Sequence, residues 1–320
     1  AIGCVKSMEA MNPQEIIEKI ENSDVNWIYN HFSEDFQEVS ALLELEKLLK
    51  VYNEKRSVNS FYKHIHINRQ DEYLWFDDKR TTGVSVTLNK YNEIIGFALL
   101  PIQHQDSAKY SKLQYTMPIE EAWTVIAGGD NELLNHHFHY KRYKHAIDLV
   151  KLKDQCSYQG SPNQLTNYYA YNLTVVAPAN GEVVEVVDGI PDCVPGEFNV
   201  KHPQGNYIII KHAKHEYSLI AHLKPNSLSV SVGDEIFRGQ HIAKVGNSGN
   251  TSEPHIHFQI MDRKDIAKAH TLKIKLQETI SPEKGDIVDY TGNNILIDKE
   301  HFLLSFIKNI RTNILQLFKS

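Results

Sequence analysis

With 320 residues the chain is long enough for two ordinary domains, and a hydrophobic content of 41% is sufficient to bury a core. Its net charge of -6 gives no basic footprint for nucleic-acid binding, and no run of residues approaches the roughly 20 apolar positions of a membrane-spanning helix. We therefore expect a globular protein with no nucleic-acid partner and no transmembrane segment.

The start of the chain and the cysteines leave alternatives open. Residues 1–4 resemble the end of a bacterial lipoprotein signal, in which the cysteine carries lipid, so Cys4 is a candidate for a lipid anchor; a cloning boundary is the alternative. No signal peptide is present, so a secreted protein would stand here in its mature form. Cys156 and Cys193 are either a disulfide or two free thiols.

Residues 1–118 are predicted to form an α+β domain. Asn12 as a cap, Pro13 at the first helical position and an acidic first turn predict a helix start. A second helix with one apolar face is predicted from spacings of four and three between apolar residues, namely Phe32, Phe36, Val39 and Leu43.

Two antiparallel strands are expected to follow these helices. Val84, Val86 and Leu88 alternate with polar residues, residues 89–92 are typical of a turn, and residues 94–100 form the partner strand. This order of elements, ending near Pro101, resembles the NTF2-like domains that precede some bacterial peptidases.

Residues 119–290 are predicted to be mainly β. Short runs rich in β-forming residues are separated by Gly, Pro, Asn and Asp, which favours an antiparallel sheet or sandwich. The runs are 173–176, 181–187, 207–211, 217–222 and 255–260. Residues 291–320 are predicted to form an amphipathic helix, with apolar residues from Phe302 to Leu317, that packs on the protein; binding to a membrane surface is the alternative.

The pattern His255-x-His257 is the sharpest chemical signal. On a strand, residues two apart point to the same face, so both imidazoles can converge on one point. A second pair, His64-x-His66, is interpreted as two histidines on a strand face without a special role, because no comparable context surrounds it.

The context of His255 and His257 identifies a family. An Ala-Pro strand turn, a His-Leu pair, a Val-Gly-Asp segment and a glycine-rich loop precede Pro254-His255-Ile256-His257-Phe258, in residues 177–183, 217–223, 232–243 and 246–254. In sequence and in order, these segments resemble the lysostaphin/LytM zinc metallopeptidases, which are peptidoglycan hydrolases. The resemblance covers roughly residues 177–260.

The resemblance implies one catalytic Zn²⁺ held by two histidines and one aspartate, with water at the fourth position. By motif match, His257 and Asp148 are two of the ligands. His222 and His255 then line the site as catalytic residues that act on the water or on the transition-state oxyanion.

The first histidine ligand departs from the commonest family pattern, H-x-x-x-D. Lys144 stands four residues before Asp148 and cannot serve while charged, and the odd spacing of His145 points it to the opposite face unless the strand bulges. Residues 128–137 resemble a subgroup with an N-x-H segment, which implies His137; His145 is the second candidate and His136 the third.

The function implied by the resemblance is zinc-dependent hydrolysis of peptide bonds in bacterial peptidoglycan, outside the cell or in the cell envelope. The alternative is an inactive member that binds peptidoglycan or a partner protein as a scaffold. Arg142 and Tyr143 are candidates for lining the cleft, and Tyr168, Tyr169 and Asn206 for contacting substrate. The sequence does not determine the oligomeric state.

Overall fold

The structure is a computed structural model that describes residues 11–102, 108–277 and 281–295. These residues fall into two compact units. The first comprises the chain up to Ser107 together with Asn131–Leu133 and Asp154–Cys156, and the second comprises the remainder. Among the described residues, no helix is both long and apolar enough to cross a membrane.

Four helices open the first unit: α1 (Pro13–Glu21), α2 (Val25–Asn30), α3 (Glu34–Val39) and α4 (Leu42–Lys55). The predicted start of α1 is confirmed, since the Asn12 side chain accepts a hydrogen bond from the backbone N–H of Gln14 and Pro13 occupies the first turn. This cap satisfies an amide that the helix leaves without an internal partner.

The predicted second helix with Phe32, Phe36, Val39 and Leu43 on one face is wrong. Ser33 caps α3 through its hydroxyl, and Ser40 is extended. Phe32 therefore lies before α3, Phe36 and Val39 lie in α3, and Leu43 lies in α4. Val39 and Leu43 are 77% and 60% exposed. Serine side chains compete for backbone hydrogen bonds and interrupt a helix that apolar periodicity alone would continue.

The strands of the first unit form a four-stranded antiparallel sheet in the order β1-β2-β3-β4. They are β1 (Asn59–Ile67), β2 (Gln70–Asp77), β3 (Thr82–Leu88) and β4 (Ile94–Pro101). The predicted pair around the turn at residues 89–92 is confirmed as β3 and β4. One apolar cluster, which includes Ile20, Leu49, Trp75 and Val86, joins the helices to the sheet. The NTF2-like assignment stays a prediction.

The second unit is built on antiparallel strands, as predicted. They are β5 (Trp123–Ala127), β6 (Ile147–Val150), β7 (Thr174–Val176), β8 (Gly181–Val187), β9 (Asn206–Ala213), β10 (Glu216–Leu223), β11 (Glu235–Ile236), β12 (His241–Lys244), β13 (Ile256–Met261), β14 (Thr271–Leu272) and β15 (Ile287–Val288). Eight of them follow the order β11-β8-β9-β10-β13-β6-β5-β15, β14 pairs with β13, and β12 pairs with β7.

Strands β10, β13 and β6 lie side by side at the middle of this sheet. Their register sets Ala221 opposite His257, and His257 opposite Asp148. Beneath them lies the largest apolar cluster of the unit, which contains Leu149, Ile220, Ile256 and Phe258. A close-packed core of this kind holds the strands rigidly, and hence the polar side chains on their other face.

Three further predictions concern the ends of the chain and the cysteines. The boundaries at residues 118 and 290 stay predictions. Cys4 and the predicted helix with Phe302 and Leu317 lie outside the described residues. Cys156 and Cys193 are free thiols, so they form no disulfide with each other.

Candidate metal centre

Asp148 and His257 are brought together by strand pairing. They are direct partners across β6 and β13, and side chains opposite each other in an antiparallel pair share one face of the sheet. His255 precedes His257 by two residues and points the same way. All three side chains are buried, and Asp148 is therefore not the solvated residue at a strand end that its sequence position alone would allow.

His137 arrives from a short 3-10 helix, His136–His139, rather than from a strand. Asn135 fixes this helix: its side-chain oxygen accepts from the His137 N–H, and its Nδ2 donates to the Ala146 carbonyl. Because Ala146 directly precedes β6, this one buried amide ties the 3-10 helix to the strand that carries Asp148.

The two carboxylate oxygens of Asp148 each face one imidazole. His137 Nε2 lies 2.8 Å from Oδ2, and His257 Nδ1 lies 3.0 Å from Oδ1. His136 Nε2 is further away, at 3.7 Å, on a side chain that is 67% exposed. Asp148 thus contacts both His137 and His257, and the donor atoms of His136, His137 and Asp148 all lie within 4.8 Å of one another.

His145, the second candidate for the first ligand, lies elsewhere. Its Nδ1 is 2.8 Å from the Thr271 hydroxyl, and its ring lines a separate cavity of about 310 Å³ together with Ile147. Ile147 and Asp148 are consecutive on β6, so they face opposite sides. His145 itself lies in the turn before β6, so the turn and not strand alternation sets its position.

Gln259 is a residue of this site that the sequence did not indicate. Its Nε2 donates to the Arg142 carbonyl, which directs its Oε1 toward His257 Nε2 at 2.9 Å. His257 must therefore carry a proton on Nε2. Its Nδ1 then faces a carboxylate, and since both are acceptors, a proton or a metal cation must lie between them.

The electrostatics of the metal-free site follow from this arrangement. Burial alone would raise the pKa of Asp148, but His137 and His255 and the hydrogen bonds from His137 and His257 hold it well below its usual range. Burial would lower the pKa of His257, yet the hydrogen bond and the charge of Asp148 raise it above the usual 6.5. The centre accordingly pairs an anion with a group that readily takes positive charge.

His222 and His255 stand beside this cluster, with ring centroids 4.7 Å apart. His222 Nδ1 lies 2.8 Å from the Ser248 carbonyl, and His255 Nδ1 lies 2.8 Å from the Glu253 carbonyl. A carbonyl only accepts, so both rings carry the proton on Nδ1. Each Nε2 is left with a lone pair, and that of His255 lies 3.9 Å from Asp148 Oδ2.

The backbone at His222 is unusual. Its φ of 63° lies in the left-handed region, and the pairing of β10 with β9 shifts register between Ile220 and Leu223. A bulge of this kind re-aims a side chain, and a left-handed non-glycine residue costs roughly 1–2 kcal/mol. Burial, and then the neighbouring His255 and His257, hold the pKa of His222 well below 6.5, so its ring is neutral near neutral pH.

An open cavity of about 390 Å³ leads to these groups. Its wall includes the ligand candidates and polar side chains from several loops: His136, His137, Tyr140, Arg142, Tyr143, Pro203, Gln204, Ala221, His222, Asn250 and His257. Arg142 and Tyr143 thus lie where expected. Tyr168, Tyr169 and Asn206 are not among the lining residues, and Asn206 is fully buried with its amide bonded to the backbone of Ile190 and Leu223.

The donor set is suitable for zinc. Two imidazole nitrogens and a carboxylate oxygen are ligands that Zn²⁺ accepts, and tetrahedral bonds of 2.0–2.1 Å would set neighbouring donors about 3.3 Å apart. The observed separations of 2.8 and 3.0 Å, each to a different oxygen of Asp148, are shorter than this by about 0.5 and 0.3 Å. The cavity lined by His137, His222 and His257 gives water or substrate access to this donor set.

Part of the chain matches a known protein family. Residues 166–270 match the family model described as Peptidase family M23. The match includes His222, His255 and His257, whereas His137 and Asp148 precede it. The resemblance to lysostaphin/LytM-type metallopeptidases that the sequence motifs indicated is confirmed.

Two relatives come from Vibrio cholerae. The peptidoglycan DD-endopeptidase ShyA is 31% identical over 114 residues, which are 34% of this chain and 26% of ShyA. The peptidoglycan DD-endopeptidase ShyB is 31% identical over 111 residues, 33% of this chain and 26% of ShyB. The chain thus spans about a quarter of the length of these relatives.

Among solved structures, the catalytic domain of the antimicrobial peptidase lysostaphin from Staphylococcus simulans is 21% identical, with a TM-score of 0.27, over 39% of this chain and 73% of that one. A mutant catalytic domain of the prophage-encoded M23 protein EnpA from Enterococcus faecalis is 16% identical, with a TM-score of 0.29, over 52% of this chain and 95% of that one.

Proposed function

We propose that this chain is a zinc-dependent endopeptidase that hydrolyses peptide bonds in bacterial peptidoglycan, outside the cell or in its envelope. The observation that carries the proposal is the convergence of His137, Asp148 and His257 beside two further imidazoles, His222 and His255, at the end of an open cavity. The match to Peptidase family M23 and the two endopeptidase relatives support the same activity.

In this proposal His137 Nε2, Asp148 and His257 Nδ1 hold the metal. A bound Zn²⁺ supplies a Lewis acid for the scissile carbonyl and lowers the pKa of water to about 7. Gln259 keeps the Nδ1 lone pair of His257 directed inward, because its Oε1 accepts the proton on Nε2. Outer partners of this kind fix the orientation and tautomer of a ligand.

His222 and His255 provide the proton transfers. Their Nδ1 protons are held by backbone carbonyls, which leaves Nε2 as the nitrogen of each ring that can act as a base. One ring accepts the proton of the attacking water, and once protonated it returns that proton to the leaving amine or donates a hydrogen bond to the oxyanion. General acid-base catalysis of this type contributes typically about 10²–10⁴-fold to a rate.

The cavity suits a peptide with charged and polar groups. Arg142, Tyr140 and Asn250 offer donors to substrate carboxylates and carbonyls along one continuous wall. Both relatives are named as endopeptidases of peptidoglycan. A substrate that large would extend past the cavity and be held along the exposed rim.

The test combines metal content with cleavage. We expect the wild-type chain to hold one tightly bound zinc and to release peptide fragments from purified sacculi. His137→Ala should lose both properties, because it removes a donor to the cluster. His145→Ala is the matched control, since that imidazole contacts Thr271, and it should retain both.

Less than about half an equivalent of zinc together with intact sacculi would refute the enzyme. Full zinc occupancy with intact sacculi would instead support the binding scaffold. If His145→Ala lost its zinc and His137→Ala kept it, His145 and not His137 would be the first histidine ligand.

A further inference from the structure

A second group of histidine and aspartate side chains lies in the first unit, on the hairpin formed by β1 and β2. His64 and His66 are two residues apart on β1, and Asp71 lies on β2 directly opposite His66. The period of a strand and this register place all three side chains on one face of the hairpin.

Both imidazoles converge on a single oxygen. His64 Nε2 and His66 Nδ1 each lie 2.7 Å from Asp71 Oδ1. The three donor atoms all lie within 4.8 Å of one another. His64 is further fixed by its ring, which stacks on Tyr73 with centroids 4.6 Å apart and planes 13° from parallel.

The side chains are neither buried nor fully free. His64, His66 and Asp71 are 43%, 33% and 27% exposed. A cation held by them would keep at least one position open to water, and the partial burial reduces the competition of solvent for the donors. Two imidazoles with one carboxylate favour a first-row transition metal over Mg²⁺ or Ca²⁺, which prefer oxygen ligands.

We propose that His64, His66 and Asp71 form a second binding site for a divalent transition metal such as Zn²⁺, separate from the centre of the second unit. Tetrahedral zinc bonds would set neighbouring donors about 3.3 Å apart, so each imidazole needs to move outward from Asp71 by only about 0.6 Å. The bound metal links the edge strand β1 to β2 and stabilises the hairpin in proportion to its concentration.

The site is tested in full-length chain that cannot use the other centre. In the variant His137→Ala/His257→Ala, stripped of metal and dialysed against Zn²⁺ alone, we expect one zinc per chain. Adding Asp71→Asn or His66→Gln should weaken this binding at least tenfold, since loss of a mere supporting residue already costs about 10–100-fold at metal sites. His241→Gln, which removes an exposed imidazole paired with Glu120 at 2.7 Å, is the matched control and should bind as before.

A second measurement separates a site from loose surface binding. Zinc should slow amide hydrogen exchange in residues 59–77 of the parent variant and leave it unchanged when Asp71→Asn is added. No bound zinc in the parent variant would overturn the proposal. Equal binding after Asp71→Asn with no effect on exchange would mean an adventitious ion only and would overturn it as well. Failure of the chain to cleave sacculi would not affect this result.

Discussion

Replacing Gln259 tests whether the hydrogen bond behind His257 controls metal binding. Gln259 is fully buried, accepts from His257 Nε2 at 2.9 Å and donates to the Arg142 carbonyl at 2.9 Å. Gln259→Leu removes both bonds at similar volume. We expect zinc affinity to fall about 10–100-fold, or roughly 1.4–2.7 kcal/mol, because the tautomer of His257 is no longer fixed.

The same substitution leaves the buried His257 Nε2 without a partner, which costs about 1–3 kcal/mol of folding free energy, and it also removes the bond to the carbonyl of the exposed Arg142. Gln259→Glu separates the two effects, because a carboxylate still accepts from His257 but cannot donate to the Arg142 carbonyl. We therefore expect the Glu variant to lose stability while it keeps its affinity for zinc.

Competition between the metal-free protein and a fluorescent zinc chelator measures the affinity, and thermal unfolding without metal measures the stability. An affinity of Gln259→Leu within twofold of the wild type would refute the role of Gln259. So would an equal loss of affinity in the Glu and Leu variants, which would assign the effect to the loop that carries Arg142.

Three further predictions concern the site and the stability of the fold. His222→Gln should keep its zinc yet slow cleavage of sacculi about 10²–10⁴-fold; a rate within tenfold of wild type would contradict a role in proton transfer. Zinc affinity should decline with acidification from above pH 6.5 and approach tenfold per pH unit, because the raised pKa of His257 means that the metal displaces a proton there; affinity that stays flat down to pH 6 would contradict this assignment. Gly205→Ala should destabilise the fold by about 1–3 kcal/mol more than Gly189→Ala. Both positions have positive φ, but only at Gly205 would the new Cβ clash with a neighbour, the Ser248 carbonyl. Equal melting temperatures of the two variants would exclude this clash.

The strands of the second unit could be predicted from sequence because their signal is local. Residues that favour strands predicted β8, and turn-forming residues marked both of its ends. The alternation of side chains along a strand likewise placed His255 and His257 on one face. Asp148 needed more than alternation. Its place opposite His257 depends on which strands pair. These two residues are far apart in sequence, and only the resemblance to the family motif predicted that they belong to one site.

The parts of the fold and site that were predicted wrongly or missed depend on contacts and local preferences that apolar spacing does not show. The predicted second helix was wrong because Ser33 begins α3 as its cap and Ser40 ends it, and apolar spacing does not register either preference. Gln259 was missed because its importance depends on two partners, the His257 ring and the Arg142 carbonyl, that only the folded chain supplies. The N-x-H segment indicated His137 as a candidate ligand. The role of Asn135 in holding the 3-10 helix became evident only from its hydrogen bond to the Ala146 carbonyl.

The 3-10 helix that carries His137 has a consequence for how such centres vary between proteins. His257 and Asp148 are locked by strand register, so neither can shift by one residue without turning to the wrong face. His137 is not subject to this constraint, because its 3-10 helix ends at His139 and the residues between His139 and Ile147 belong to no strand, while Asn135 anchors the helix. A search for relatives that demands a fixed interval between the first histidine and the aspartate would therefore overlook chains with an equivalent centre. A search that instead anchors on the paired strands and leaves this interval free should recover them.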